Sequence, residues 1–144
     1  MEGSDRPERV LADLLALLAI ADQAILLQER AEAVLHACAE PAESAQFAVR
    51  EGARVAAEYQ RLWTWSLEFA PSAGDGSVER RLSDLVLLHF QMVHVAVRLA
   101  FPRQATPGAY RRVRAVEDLA PWVDELRSVR DELNLWITAL TPAG

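Results

Sequence analysis

The sequence predicts an all-α protein, an antiparallel up-down-up-down four-helix bundle whose last helix is broken or kinked near Pro121. Long stretches of the chain are rich in Ala, Leu, Glu, Arg and Gln, which are residues of high helix propensity. These stretches lack the alternation of apolar and polar residues that is typical of strands. Proline and glycine separate them at Pro41, at Pro71–Gly76 and at Pro102–Gly108. Short turns between long helices favour the antiparallel topology.

The composition predicts a single domain over residues 1–144. A chain of 144 residues with 51 % hydrophobic content can bury one core. This composition excludes collagen-like, disordered and disulfide-rich proteins. Cys38 is the only cysteine, so the chain forms no intramolecular disulfide and no cysteine-rich metal site.

The first helix is predicted from its capping residues, and the second from the proline in its first turn. The first runs from Asp5 to Ala39, because Asp5 followed by Glu8 resembles a capping box. The second runs from Pro41 to Ala70, with proline in the first turn, where its missing N–H costs nothing. Small residues recur along this second helix at four-residue steps and predict the close approach of a neighbouring backbone: Ser44, Ala48, Gly52 and Ala56.

The third helix is predicted to be capped by Ser77 and to end near Phe101. A fourth segment opens at Thr106, and Pro121 either divides it into two helices or kinks a single one. After Pro121, apolar residues alternate at four- and three-residue steps, which predicts a bundle seam. The seam consists of Trp122, Leu126, Val129, Leu133, Trp136 and Leu140.

Polar residues on apolar helix faces are the candidate site, because a buried polar group is costly unless it has a partner. On the first helix, Asp22 lies at the centre of a face that is otherwise apolar and that we expect to be buried. That face consists of Leu11, Leu15, Leu18 and Ile25. On the second helix Tyr59 lies among apolar residues, as does His89 on the third. Folding the helices antiparallel brings Asp22, Tyr59, His89 and Trp122 into one layer.

This layer has three interpretations. The first is a buried hydrogen-bond network with a structural role. The second is a small-molecule pocket, with Tyr59 and Trp122 as walls and Asp22 and His89 as polar anchors. The third is a catalytic acid–base pair, for which the chain offers no recognised nucleophile.

Two surface features predict interactions with other molecules. On the second helix, Phe47 and Trp65 lie in a charged stripe with Arg61, and aromatic residues among charges are typical of a protein interface. The alternative is that Arg61 stacks on Trp65 in water. The second feature is a group of arginines near a predicted helix start, which predicts an anion or acidic-partner site or else a solvated basic patch. It consists of Arg103, Arg111, Arg112 and Arg114.

Charge and motifs argue against several functional classes. The net charge is −6, which disfavours nucleic-acid binding because phosphate contacts need a broad basic surface. No histidine has a glutamate three residues before it, so the di-metal motif of ferritin-like bundles is absent. We therefore expect no metal and no cofactor.

The chain also lacks the features expected of a membrane or secreted protein. Apolar stretches at residues 10–27 and 85–97 contain acidic residues or histidines and favour buried helices over membrane spans. The N-terminus lacks a basic-then-apolar signal pattern, which favours a cytoplasmic location. All fifteen basic residues are arginine, a bias typical of a GC-rich bacterial genome.

Together these patterns predict a non-enzymatic interaction or regulatory protein that acts as a homo-oligomer, a homodimer in its simplest form, through the aromatic residues of the second helix. The alternative is a small-molecule-binding protein or small enzyme that uses the layer of Asp22, Tyr59, His89 and Trp122.

Overall fold

The described residues form four helices and no strand, which confirms the all-α fold class. The computed structural model describes residues 2–39, 45–69, 74, 76–100 and 120–141. The helices are α1 (Glu2–Ala39), α2 (Ala45–Ser66), α3 (Val78–Ala100) and α4 (Ala120–Leu140). The predicted helix starts at Pro41 and Thr106 lie outside the described residues.

The start of α3 agrees with its predicted cap, whereas the start of α1 differs from the predicted one. Ser77 is confirmed as the cap of α3, because its hydroxyl accepts a hydrogen bond from the N–H of Arg80 at 3.2 Å. Gly76 precedes it with a φ of 83°, a left-handed conformation that favours glycine. α1 begins at Glu2, so the predicted cap Asp5 lies inside its first turn. Pro121 is the second residue of α4, so the helix that carries the seam begins at the predicted break.

α1 packs against all three other helices, α2, α3 and α4. α3 also contacts all three other helices, whereas α2 and α4 share no contact within the described ranges. α1 and α3 therefore form the short diagonal of the bundle, with α2 on one side and α4 on the other.

Side-chain contacts establish the antiparallel register of α1 and α2. Arg30 forms an ion pair with Glu51, and nearer the start of α1 the guanidinium of Arg61 donates to the side chain of Gln23 at 3.1 Å. Positions along α2 thus rise as positions along α1 fall.

Gly52 confirms that the small residues of α2 permit a close approach to neighbouring helices. A Cβ at this position would lie 2.6 Å from Cγ2 of Val97 on α3 and 3.3 Å from Cγ1 of Val34 on α1. Ala48 and Ala56, one turn away on either side, are buried as well. This contact places residue 97 of α3 level with residue 52 of α2.

The seam of α4 is buried only in its central part. Leu126, Val129 and Leu133 are fully buried, whereas Trp136 and Leu140 are exposed. The reason is register: Arg81, near the start of α3, pairs with Glu132 at 2.6 Å. Residues of α4 beyond Glu132 therefore extend past the first turn of α3.

Candidate functional site

The buried polar cluster at the middle of the bundle consists of His89, Tyr59 and Gln28. All three side chains are 4 % exposed or less. The rings of Tyr59 and His89 have centroids 5.4 Å apart, so the predicted meeting of these two residues is confirmed. Tyr59 also donates a hydrogen bond to the backbone carbonyl of Ala24 at 3.2 Å.

The hydrogen bonds of His89 define its tautomer. Nδ1 lies 2.7 Å from the carbonyl oxygen of Leu85, and a carbonyl can only accept, so Nδ1 carries the proton. Nε2 is then free to accept from the side-chain amide of Gln28 at 3.1 Å. No buried side-chain nitrogen or oxygen in the described part of the chain lacks a partner, so this arrangement is a satisfied network.

Burial also shifts the protonation of the two ring side chains. It lowers the pKa of His89 from its ordinary value, and the hydrogen bond to Leu85 opposes this only in part. Burial raises the pKa of Tyr59, with a further contribution from the negative charge of Glu32. Both side chains are therefore neutral near neutral pH, which suits a structural network better than acid–base chemistry.

The predicted burial of Asp22 in this layer is wrong. Asp22 is exposed, and Leu15, on the face expected to be buried, is 49 % exposed. α1 turns the opposite side to the core, with Leu17, Ile20 and Ala24 buried there. The sequence could not reveal this, because α1 carries apolar residues nearly all round and its periodicity favours no single face.

Trp122 is not part of the buried cluster either, since it is 37 % exposed at the first turn of α4. The four residues of the predicted pocket are thus divided into two buried ones, Tyr59 and His89, and two exposed ones, Asp22 and Trp122. The geometry expected for a mid-bundle pocket lined by all four is not present.

Gln28 is the functional group of this cluster that the sequence prediction missed. A signal was available, because Gln28 continues a seven-residue series of apolar positions on α1: Leu14, Ala21 and Leu35. A single polar residue in such a series is typical of a buried polar position.

A second candidate site is the outward surface shared by α1 and α2, here called the outer face. On α2 it carries Phe47, Arg54, Arg61 and Trp65, and on α1 it carries Leu15, Asp22, Leu26 and Glu29. Phe47 is exposed and Trp65 is half-buried. Arg61 donates to Glu58 at 2.9 Å and to Gln23, so its guanidinium links α2 to α1.

Two open grooves lie along the α2 side of the outer face. One, of about 310 Å³, is lined by Phe47 and Arg54 together with Gln46, Arg50 and Glu51. The other, of about 560 Å³, is lined by Ala57, Gln60, Arg61, Thr64, Trp65 and Glu68. Each groove therefore combines one aromatic side chain with arginine.

The α1 side of the outer face carries two exposed leucines, Leu15 and Leu26. Leu26 is 76 % exposed at its centre. From Glu8 to Ala39, α1 is long and apolar enough by composition to cross a membrane, yet only 33 % of its most apolar stretch is buried. The core helix of a soluble bundle can be equally long and apolar. What distinguishes α1 is that it leaves apolar side chains uncovered.

The other sites predicted from the sequence are not formed by the described residues. Arg103, Arg111, Arg112 and Arg114 lie outside the described residues. Within the described ranges, no group of three or more His, Cys, Asp or Glu side chains is placed to hold a metal ion. His94 is exposed and stacks on Phe90 with ring centroids 5.4 Å apart.

Comparison with known proteins gives no relative: no protein-family model matches the chain, and neither the curated proteins nor the solved structures include a significant match.

Proposed function

We propose that this chain is a non-enzymatic interaction or regulatory protein that acts as a homo-oligomer through the outer face of α1 and α2. The observation that carries the proposal is Leu26, which is 76 % exposed on α1, with the exposed carboxylates Asp22 and Glu29 on either side of it along the helix. Apolar side chains grouped with aromatic residues and arginine are typical of the centre of a protein interface.

Two further observations support the same surface. Phe47 and Trp65 lie near opposite ends of α2, about 27 Å apart at the usual rise per residue of an α-helix. Each lines a shallow, open groove together with arginine, so both aromatic side chains border surface that a partner can reach. A partner that covers this face would remove Leu15 and Leu26 from water, with a gain of about 25 cal/mol per Å² of apolar area.

The test is the molar mass of the purified chain by light scattering and sedimentation over a wide dilution series. We expect reversible self-association in the wild-type chain. Leu26→Glu should abolish it, because a carboxylate would be desolvated in the contact. Leu135→Glu is the matched control: Leu135 is 72 % exposed on α4, away from the outer face, and its replacement should leave the association unchanged.

Equal far-UV circular dichroism and equal unfolding midpoints would show that both variants keep the fold. A wild-type chain that stays monomeric at every concentration would contradict the proposal. So would a Leu26→Glu variant that associates as strongly as the wild type.

A further inference from the structure

Four exposed charges of the outer face lie on opposite helices, and on α2 Glu58 pairs with one of them, Arg61. The exposed acidic residues Asp22 and Glu29 lie on α1, and the exposed basic residues Arg54 and Arg61 lie on α2. At about 100° per residue, Asp22 and Glu29 point outward together with Leu15 and Leu26. Neither Asp22, Glu29 nor Arg54 forms an ion pair within the described part of the chain.

The contacts between α1 and α2 give the heights of these charges along the bundle. Gln23 is in contact with Arg61, so Asp22 lies level with Arg61. Arg30 is paired with Glu51, so Glu29 lies within one helical turn of the level of Arg54. Each acid on α1 thus has an arginine on α2 at its own height.

We propose that the partner of the outer face is a second copy of this chain, docked about a two-fold axis parallel to the helices. This inference rests on the proposed function and specifies its geometry. Such an axis keeps every residue at its height and exchanges the two sides of the face, so α1 of one copy packs on α2 of the other. Asp22 then meets the second copy's Arg61, and Glu29 meets the second copy's Arg54.

The apolar side chains fit the same arrangement. Tyr59 contacts the backbone at Ala24, which places Leu26 level with residues near Ala57. Ala57 is an exposed small residue between Arg54 and Arg61. Leu26 of the second copy therefore meets α2 at a small outward residue, between the two charge pairs.

Charge disfavours the other two-fold arrangement of this face. An axis perpendicular to the helices would set α2 against α2 and α1 against α1. Arginines would then face arginines, and carboxylates would face carboxylates, which costs affinity. The isologous contact between α1 and α2 repeats each favourable pair twice.

Charge reversal tests this docking mode. Glu29→Arg alone sets the introduced guanidinium against Arg54 in the variant's own dimer, and Arg54→Glu alone sets the introduced carboxylate against Glu29. We expect each variant to weaken self-association by at least about tenfold relative to the wild type, because like charges then face each other. An equimolar mixture of the two variants should form a heterodimer, because opposite charges then meet at both contacts: the introduced guanidinium at position 29 faces the introduced carboxylate at position 54, and the native Arg54 faces the native Glu29.

Sedimentation and native mass spectrometry of the mixture measure this outcome, with unfolding midpoints as the check on folding. Asp84→Arg, an exposed charge reversal on α3, is the control and should leave the dimer unchanged. A double variant that carries both reversals restores opposite charges at every pair and should dimerise as the wild type does.

The failures are distinguishable. A wild-type dimer that is insensitive to both reversals would overturn the docking mode and leave the proposed self-association standing. A double variant no better than the single ones would overturn the docking mode as well. A wild-type chain that remains monomeric would overturn both proposals. A monomer that floats with vesicles of anionic phospholipid, and loses this binding in Leu26→Glu, would replace the second copy by a membrane surface.

Discussion

The side-chain amide of Gln28 on α1 lies 3.1 Å from Nε2 of His89 on α3, and both side chains are buried. This hydrogen bond joins the two helices of the short diagonal. Burying either polar side chain costs free energy, and the hydrogen bond offsets that cost only while both partners are present.

Replacing either partner alone should therefore destabilise the chain. We expect Gln28→Leu and His89→Leu each to lower the free energy of unfolding by about 1–3 kcal/mol, since each leaves a buried polar group without a partner. The double variant should cost less than the two single losses together. Urea unfolding measures all four chains, and strictly additive losses would show that the two side chains are not coupled.

The stability of the chain should fall on mild acidification through His89. Burial holds the pKa of folded His89 below the ordinary value of 6.5, so below that pH the unfolded chain binds a proton that the folded chain does not. The free energy of unfolding should then decrease by up to about 1.4 kcal/mol per pH unit.

Urea midpoints between about pH 7.5 and about pH 5.5 measure this effect, above the range in which ordinary carboxylates titrate. In His89→Leu the titrating group is gone, so the dependence on pH in this window should be smaller. An unchanged slope in that variant would assign the effect to other groups.

Gly52→Ala should destabilise the chain, although alanine is normally the better helix former. The new methyl group would lie 2.6 Å from Cγ2 of Val97, and we expect a loss of about 1–3 kcal/mol from overpacking. Val97→Ala in the same chain should recover part of this loss. Gly74→Ala is the matched control, because nothing lies within 4 Å of the added atom; a similar loss there would contradict a steric cause.

Cys38 should react with thiol reagents only when the chain unfolds. It is fully buried, and burial raises the pKa of its thiol to about 11 from an ordinary 9.0. The thiolate is the reactive form, so we expect a native rate at least about a hundredfold below that of the unfolded chain at the same pH. Absorbance assays with an aromatic disulfide, with and without urea, compare the two rates. Equal rates would place Cys38 at an accessible position.

The sequence predicted the local features of this fold well, because each depends on a few neighbouring residues. Ser77 caps α3 through its own hydroxyl, and Gly52 permits close packing because it lacks a side chain. The level of Tyr59 with His89 was also predicted, because Pro71–Gly76 marks the turn between α2 and α3 and so sets their register.

The face of α1 could not be predicted, because its apolar residues surround the helix. With Leu14 and Leu15 adjacent, and Leu17 and Leu18 likewise, periodicity alone does not select the buried side. The choice is made by the other three helices, which cover Leu17 and leave Asp22 outward. For this reason the predicted site was wrong at Asp22, whereas the contact between the second and third helices was predicted correctly because only one face of each is apolar.

The packing of α1 against α4 has a consequence for how the chain is made. α1 emerges from the ribosome before any of the helices that cover it, and α4, which completes its enclosure, emerges last of the four. Until translation has passed Leu140, the part of α1 that α4 covers remains open to water and to chaperones. Mutations that slow the docking of α4 should therefore lower the yield of soluble protein more than its final stability.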